Sequence, residues 1–347
     1  MNDIAIRKIG RTGRITLDRP DALNALTLDM VRKIFAILPI WAADDEIDML
    51  VLDANGDKAF CAGGDIADIY QALIDGDYNT VRGFWREEYP LNAALFHFPK
   101  PIASFLQGFT MGGGVGIGCH ASHRVVCENS EIAMPECTIG LVPDVGGSLL
   151  LSRAPGRAGE YLGATGKRMS AGDAIFAGFA DYYLPRTDWP VLIECLESTG
   201  DWTEIDRASH SAPESQIATH ATEIDEHFAG ETLRDVLSSL NNSNSDWASE
   251  TLKVLNRNAP LSMACAIEMI HRARAHDMIN QALKTEYRFV HRIAAQGDFQ
   301  EGIRAAIIDK DRSPHWQHSD PSGPTLPEVA KMLQPLGQDE LILEVST

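Results

Sequence analysis

Two glycine-rich stretches decide the fold of this chain. Residues 59–65 read Ala-Phe-Cys-Ala-Gly-Gly-Asp, and residues 112–118 read Gly-Gly-Gly-Val-Gly-Ile-Gly. Each stretch follows an apolar segment with strand character, 49–54 before the first and 102–107 before the second. Glycine lets a backbone approach a ligand closely, and it leaves N–H donors exposed where a helix begins. We therefore predict that both stretches can present backbone amides to a bound group.

The spacing of these glycines disfavours the common phosphate-binding motifs. A dinucleotide fingerprint needs Gly-x-Gly-x-x-Gly, whereas these glycines are consecutive and then alternate, without an obvious acidic ribose partner. Gly166-Lys167 is followed by Arg168 instead of Ser or Thr, so a P-loop is absent there. One alternative stays open, because tight helix packing without any ligand would require the same glycines.

Composition and charge narrow the possible partners. The chain has 347 residues, 44% of them hydrophobic, and a formal net charge of -19. An acidic surface repels phosphates, so we predict neither a nucleic-acid partner nor an anionic-membrane partner. No apolar run approaches the ~20 residues that a membrane span needs. The six cysteines form no Cys-x-x-Cys pair, and we expect them to be reduced.

The two ends of the chain carry no recognisable targeting signal. Residues 1–20 lack the apolar region of a secretory signal. The last three residues, Val-Ser-Thr, do not match the peroxisomal Ser-Lys-Leu signal. From these patterns we expect a cytoplasmic protein.

The order of apolar segments indicates the domain organisation. Strands, turns and helices alternate over about the first 190 residues, which is typical of an α/β protein. Thr27 to Trp41 has apolar residues at helical spacing, with its first residue as the expected N-cap. From Thr203 to Asn244 the chain is polar, so we expect a boundary or a mobile connection. Beyond that the pattern is helical, which predicts a core over 1–200 and a helical region over 201–347.

Several segments, taken in order, resemble the crotonase superfamily, which comprises the enoyl-CoA hydratases and isomerases. The resemblance implies an α/β fold in which β-β-α turns form a spiral core, followed by a helical C-terminal region. It also implies an acyl-CoA substrate. The segments that carry the resemblance are Leu17 to Leu26, Ala59 to Ile66, Gly108 to Gly114, Met134 to Glu136 with Gly140 and Gly146-Gly147, and Leu162 to Gly166.

The resemblance also assigns binding roles to individual residues. It implies that the backbone amides of Gly64 and Gly113 form an oxyanion hole, which would polarise the carbonyl of a thioester. It further implies that four residues line the CoA site, namely Ala22, Ala25, Ala62 and Ile66.

The carboxylates of the chain favour hydrolysis over hydration. Hydratases of this family use two glutamates, of which one is present as Glu136 while the other position is occupied by Gly116. Asp144 lies eight residues after Glu136, where hydratases usually have a small residue. This combination resembles the 3-hydroxyisobutyryl-CoA hydrolase branch, and Glu88 matches a glutamate that contacts the substrate in that branch.

The roles of the two carboxylates stay open in part. The resemblance implies that Glu136 acts either as a nucleophile or as a general base on water. Asp144 would bind the 3-hydroxyl group, orient water or influence Glu136 as a neighbouring like charge. Structural alternatives are an ion pair for Glu136 and a simple turn for Asp144, since Pro-Asp-Val-Gly-Gly is a good turn sequence.

Two other catalytic arrangements are disfavoured. His120-x-x-His123 lacks the glutamate of a metalloprotease helix, so we expect no metal. Ser148 follows two glycines but lacks the Gly-x-Ser-x-Gly elbow of serine esterases. No separate cofactor is expected either, because coenzyme A arrives as part of the substrate.

We therefore predict an enzyme, an acyl-CoA thioester hydrolase whose expected substrate is 3-hydroxyisobutyryl-CoA from valine catabolism. The first alternative is an enoyl-CoA hydratase or isomerase that uses Glu136 alone. A second alternative, from a different class, is a non-catalytic CoA-binding subunit. Crotonases commonly form trimers or pairs of trimers, which leaves a homo-oligomer open for this chain.

Overall fold

The computed structural model describes residues 3–343, which form two compact units. Both units are assembled from segments that are separated along the sequence. From the sequence we expected a single boundary near residue 200, between a strand-bearing part and a helical part. The two units are divided at other positions, so this boundary stays a prediction. The first unit contains the chain up to Asp65, Glu87–Ala133 and Arg168–Ala218; the second contains Ile66–Arg86, Met134–Lys167 and the chain from Thr219 onward.

The described residues contain nine strands, all of them in the first unit. They are β1 (Ile4–Ile9), β2 (Thr12–Leu17), β3 (Met49–Ala54), β4 (Ala59–Cys61), β5 (Ile102–Phe105), β6 (Phe109–Met111), β7 (His123–Val126), β8 (Glu131–Ala133) and β9 (Tyr182–Tyr183). One sheet has the order β1-β2-β3-β5-β7-β9, and the other has the order β4-β6-β8. From β3 onward, successive strands alternate between the two sheets. This alternation confirms the predicted spiral of β-β-α turns.

Buried apolar strands explain the larger sheet. All six residues of β3 are buried, and β3 pairs in parallel with β2 and β5. A parallel strand that is buried on both faces is expected to be apolar, as the first four residues of β3, Met-Leu-Val-Leu, are. The strand-like segment from Ile4 to Leu17 is divided into the antiparallel pair β1 and β2 by a turn at Gly10, whose φ is +54°. Only glycine adopts this backbone conformation readily.

The helices are α1 (Leu28–Ala42), α2 (Ala67–Ile74), α3 (Tyr78–Phe96), α4 (Gly113–Gly118), α5 (Gly147–Ser152), α6 (Ala158–Thr165), α7 (Ala171–Phe176), α8 (Trp189–Thr199), α9 (Thr203–Ala208), α10 (Gln216–Thr219), α11 (Ala221–His227), α12 (Leu233–Asn241), α13 (Asp246–Leu255), α14 (Pro260–His276), α15 (Ile279–Ile293), α16 (Asp298–Ile303) and α17 (Leu326–Leu333). At the start of α1, the Thr27 side chain accepts a hydrogen bond from Met30 N at 3.2 Å. The predicted N-cap is therefore confirmed. In the described residues, no helix is long and apolar enough to cross a membrane.

The second unit is helical, and α14 packs against α5, α6, α15 and α17 within it. The polar stretch from Thr203 to Asn244, where we expected a boundary or a mobile connection, forms short helices, and a boundary between the two units falls within it, after Ala218. Although this stretch is rich in Ser and Asn, its helix α12 has a buried apolar stripe. The stripe consists of Leu233, Val236, Leu237 and Leu240. A capping box between Thr232 and Asp235 starts this helix.

Candidate active site

A tight turn in the first unit positions the residues expected to contact CoA. Leu23 and Asn24 have φ values of +51° and +54°, so the chain reverses sharply between β2 and α1. The turn is hydrogen-bonded to the first glycine stretch: Ala62 N donates to Leu23 O at 3.0 Å, and Leu26 N donates to Gly63 O at 2.9 Å. Two separate parts of the sequence are thereby fixed side by side.

The side chains on this turn differ in exposure. Ala22 is exposed, whereas Ala25 and Ala62 are half-buried. Arg19 holds the turn from within, because its guanidinium Nη1 donates to Ala25 O at 2.6 Å. The structure therefore brings these three alanines into one region of the first unit, and their contact with CoA stays a prediction.

The two glycines of the predicted oxyanion hole are neighbours in the first unit. A Cβ atom added to Gly113 would lie 3.3 Å from the backbone nitrogen of Gly64 and 2.8 Å from Glu88 Oε1. Gly113 is the first residue of α4, where backbone N–H groups lack helical acceptors. A methyl group at this position would therefore occupy the space beside the second amide.

Glu88 is the carboxylate of this cluster. Its side chain is 2% exposed and lies on α3. Burial raises the pKa of the nearby Cys61 thiol to about 12, and the charge of Glu88 adds to this effect. A buried carboxylate beside the Gly113 backbone is suited to accept a hydrogen bond from a polar group of a ligand.

Two other glycines of the second stretch are required by packing. A Cβ atom on Gly114 would lie 2.2 Å from Cys61 O, and one on Gly118 would lie 2.7 Å from Leu106 Cδ2. These positions need glycine because β4 and its neighbours approach the helix closely. The packing alternative therefore holds for Gly114 and Gly118, whereas Gly113 faces an amide and a carboxylate.

Two predicted catalytic carboxylates lie in the second unit. Glu136 begins a 3₁₀ helix, Glu136–Ile139, and is 4% exposed; Asp144 follows in the next turn and is 3% exposed. Burial and the charge of Glu136 raise the pKa of the adjacent Cys137 thiol well above its usual range. Buried carboxylates are rare, and they mark either paired groups or reactive sites.

Asp144 stands at the start of a strained turn. Gly147 N donates to Asp144 O at 2.6 Å, while the central residues Val145 and Gly146 have φ values of +53° and +82°. Positive φ at both central positions is typical of a type I′ turn, and a β-branched residue rarely adopts it. The predicted turn at Asp144 is therefore real, and it holds a buried carboxylate.

Ile66 is the remaining residue predicted to line the CoA site. It precedes α2 in the second unit and is half-buried, and its carbonyl accepts a hydrogen bond from Tyr70 N at 3.0 Å. Its contact with CoA stays a prediction.

Another buried carboxylate, Glu286, was given no role by the sequence patterns. Glu286 in α15 is fully buried, and it accepts hydrogen bonds from Gly146 N at 2.7 Å and from Ser148 N at 3.0 Å. A usable signal was present, because Glu286 lies three and four residues from Leu283 and Ala282 on the apolar stripe of α15. A charged residue on a buried helix face needs a specific partner.

In residues 3–343, no three His, Cys, Asp or Glu side chains are grouped in a way that could hold a metal ion. The six cysteines are unpaired by disulfides, and all but Cys195 are buried.

Comparison with known proteins gives the family. The enoyl-CoA hydratase/isomerase model matches residues 12–333. A human protein named mitochondrial 3-hydroxyisobutyryl-CoA hydrolase is 35% identical over 354 residues, which cover 98% of this chain and 90% of the human one. The Danio rerio protein of the same name is also 35% identical, over 99% of this chain and 92% of its own length. These findings confirm the prediction of an enzyme related to acyl-CoA hydrolases.

Solved structures confirm the fold. A crystal structure described as an enoyl-CoA hydratase from Rhodobacter sphaeroides has a TM-score of 0.94 and 53% identity, and it covers 98% of this chain and 100% of its own. A carnitinyl-CoA dehydratase from Mycobacterium thermoresistibile has the same TM-score with 34% identity, over 99% of both chains.

The expectation of a cytoplasmic protein was wrong by this comparison, because the vertebrate relatives are named as mitochondrial enzymes. It rested on the absence of recognisable targeting patterns, and such an absence does not establish a location. The fold class, the glycine motifs and the matched length agree with one another. The chain therefore belongs to the enoyl-CoA hydratase/isomerase family.

Proposed function

We propose that this enzyme hydrolyses 3-hydroxyisobutyryl-CoA to 3-hydroxyisobutyrate and free coenzyme A, a step of valine catabolism. The observation that carries the proposal is the buried pair of carboxylates, Glu136 and Asp144, in a chain with glycine at position 116. Hydratases of this family use a second glutamate where Gly116 stands, so its absence disfavours hydration of a double bond. The names of the vertebrate relatives support the same activity.

The backbone amides would activate the thioester. We propose that Gly64 N–H and Gly113 N–H donate hydrogen bonds to the carbonyl oxygen, which becomes negatively charged as the carbonyl carbon is attacked. Donors fixed in advance stabilise this charge without reorganising, and losing one donor typically slows catalysis by about 10²–10³-fold. Support comes from the 3.3 Å approach of the Gly113 Cβ position to Gly64 N.

Glu136 would supply the attacking group by one of two routes. As a nucleophile, its carboxylate forms a mixed anhydride while the C–S bond breaks, and water then cleaves the anhydride. As a general base, it takes a proton from water, whose oxygen bonds to the carbonyl carbon as the CoA thiolate leaves and is then protonated. Label found in Glu136 after a single turnover in ¹⁸O water would establish the anhydride route, because general-base attack by water places the label only in the product.

The acyl group would be selected by carboxylates. Glu88 lies beside Gly113, and its buried carboxylate would accept a hydrogen bond from the substrate's hydroxyl group. Asp144 is the second candidate for this role. A site built to bond a hydroxyl group rejects analogues that lack it, because its buried polar groups are then left unsatisfied. We therefore propose that 3-hydroxyacyl thioesters react faster than unsubstituted ones.

Partners and cofactors follow from the same chemistry. We propose that coenzyme A is the only nucleotide that the enzyme binds and that no metal or redox group takes part. We further propose that neither nucleic acid nor a membrane is a partner, given the net charge of -19. A homo-oligomer of the family type stays open.

A hydratase is the competing function, favoured by the name of the Rhodobacter sphaeroides structure at 53% identity. The test measures free-thiol release from 3-hydroxyisobutyryl-, 3-hydroxypropionyl-, acetyl- and crotonyl-CoA, and it follows crotonyl-CoA in parallel by absorbance. We expect rapid thiol release from the two hydroxyacyl thioesters, with large losses in Glu136→Gln and Asp144→Asn. Loss of crotonyl absorbance without free thiol would establish the hydratase instead.

A matched control is available in the same unit. Glu160 is fully buried like the proposed catalytic residues, but it is bound by Arg157, Arg274 and His271. Glu160→Gln makes the same chemical change as Glu136→Gln. We expect it to leave kcat per folded enzyme unchanged, which separates a catalytic loss from the general cost of altering a buried carboxylate.

A further inference from the structure

A third buried carboxylate holds the turn that carries Asp144. Glu286 comes from α15, 138 to 140 residues further along the chain, and both of its oxygens accept hydrogen bonds from this turn. Gly146 N donates to Oε2 at 2.7 Å, while Ser148 N and Ser148 Oγ donate to Oε1 at 3.0 and 2.5 Å. Three donors from two residues therefore converge on one carboxylate.

The turn needs such a restraint because its backbone is strained. Val145 has a φ of +53°, which a β-branched residue rarely adopts. Strained conformations persist only where the surrounding structure fixes them, and they cluster at functional sites. Glu286 binds the backbone on the C-terminal side of Val145, and Asp144 is directly on its N-terminal side.

Glu286 and Asp144 also interact electrostatically. Burial raises the pKa of Glu286 to about 8, hydrogen bonds from Ser148 and Gly146 oppose this rise, and the charge of Asp144 adds to it. The two carboxyl groups are thus close enough to influence each other. A residue that only filled the core would need no carboxyl group at this position.

We propose that Glu286 is a positioning residue for Asp144: it clamps the strained turn and so fixes the direction of the Asp144 carboxylate. The proposal rests on the function proposed above, in which Asp144 contacts the substrate. The carboxylate is required because an amide has only one oxygen. In Glu286→Gln, the NH₂ group must face either Gly146 N–H or Ser148 N–H, and the turn loses a hydrogen bond on one side.

A double-mutant cycle tests this role. The enzyme, Glu286→Gln, Asp144→Asn and the double variant are compared for kcat and KM on a 3-hydroxyacyl-CoA, at a temperature where all four are folded. We expect Glu286→Gln alone to lower kcat by about 10- to 100-fold, as misplacing a reacting group does. In the Asp144→Asn background the same change should cost less than about twofold, because residues that act through one another are not additive.

Two further variants complete the test. Ser148→Ala removes one of the three donors and keeps both backbone donors, so it should fold and show a smaller kcat loss that also disappears with Asp144→Asn. Glu160→Gln is the matched control, and its effect should be independent of Asp144. The proposal would be overturned if Glu286→Gln lowered kcat by the same factor with Asp144 present as in the Asp144→Asn background, and if Ser148→Ala did likewise. A merely structural carboxylate would act additively in this way. An unchanged kcat in Glu286→Gln would overturn it as well.

Failure of the proposed function is recognised separately. If the enzyme hydrates crotonyl-CoA and releases no thiol, the hydrolase assignment is wrong, and the same cycle is measured on hydration. Coupling between Glu286 and Asp144 in that reaction would still support the clamp, whereas additivity there would overturn it.

Discussion

Adding one methyl group at adjacent glycines should separate the chemistry of α4 from its packing. Gly113 and Gly114 are consecutive, buried and in the same helix, so Gly→Ala changes the same atoms in both. On Gly114 the new Cβ would lie 2.2 Å from the carbonyl oxygen of Cys61 and 3.0 Å from its carbon. On Gly113 the nearest atom would be Glu88 Oε1 at 2.8 Å, followed by Gly64 N at 3.3 Å.

The two clashes differ in what must move. Backbone at the end of β4 cannot withdraw by the ångström or more that Gly114→Ala requires, so we expect an overpacking cost of about 1–3 kcal/mol or more. At about 2–4 °C per kcal/mol, this lowers the Tm by several degrees. In Gly113→Ala the displaced atom ends a side chain, so the Tm should fall less. Its methyl group, however, stands against the Gly64 amide, and kcat/KM should fall by about 10²–10³-fold.

Scanning calorimetry and thiol release on a 3-hydroxyacyl-CoA measure both quantities for both variants. The expected result is a crossed pattern, with the larger Tm loss in Gly114→Ala and the larger kcat/KM loss, per folded enzyme, in Gly113→Ala. Near-normal kcat/KM in Gly113→Ala would refute the assignment of Gly64 and Gly113 as the oxyanion donors. Equal Tm losses would refute the distinction between a packing glycine and a site glycine.

Two further predictions concern stability and reactivity. Burial alone would raise the pKa of Glu160, but hydrogen bonds from His271, Arg274 and Arg157 lower it to about 2. This lowered pKa corresponds to about 3 kcal/mol of the free energy of unfolding. That stabilisation is present above about pH 5 and is lost as the pH falls towards 2. Glu160→Gln should therefore lower the free energy of unfolding at pH 7 and flatten its decline between about pH 5 and 3, as followed by urea titration; an unchanged pH dependence would contradict the cluster. Burial raises the pKa of five of the six thiols, whereas Cys195 is half-buried, so a disulfide reagent should label about one thiol rapidly in the folded enzyme and all six after unfolding. Rapid labelling of Cys195→Ser would contradict this.

Local patterns predicted the elements whose burial is visible in sequence. The apolar run from Met49 to Ala54 forms β3 with those bounds, and Thr27 caps α1 as its side chain suggested. Resemblance supplied what periodicity cannot, namely the spiral order of strands and the neighbourhood of Gly64 and Gly113. These two glycines are far apart along the chain, and only a known fold relates them.

Long-range polar contacts were beyond prediction. Glu286 was visible as a charge on the apolar stripe of α15, yet its partners Gly146 and Ser148 are about 140 residues away in the sequence. Turn sequences predict that residues 143–147 reverse direction, but they do not predict that Val145 is held at positive φ by a distant helix. The missing information is tertiary: strain at one position is compensated by hydrogen bonds from another.

Some proteins similar to this chain are named hydratases and others hydrolases, and this difference has a physical explanation. Overall identity counts every position equally, and most positions determine the spiral of strands and its packing, which hydratases and hydrolases share. The reaction depends on a few side chains. Gly116 removes the second glutamate that would hold water for addition to a double bond, while Asp144 adds a buried carboxylate next to a strained turn. Fixing that turn requires a third carboxylate, Glu286, which is expensive to bury and accepts three hydrogen bonds from it. On the proposed function, we therefore expect the residues at positions 116, 144 and 286 to decide the reaction more than a difference of 53% against 35% overall identity does.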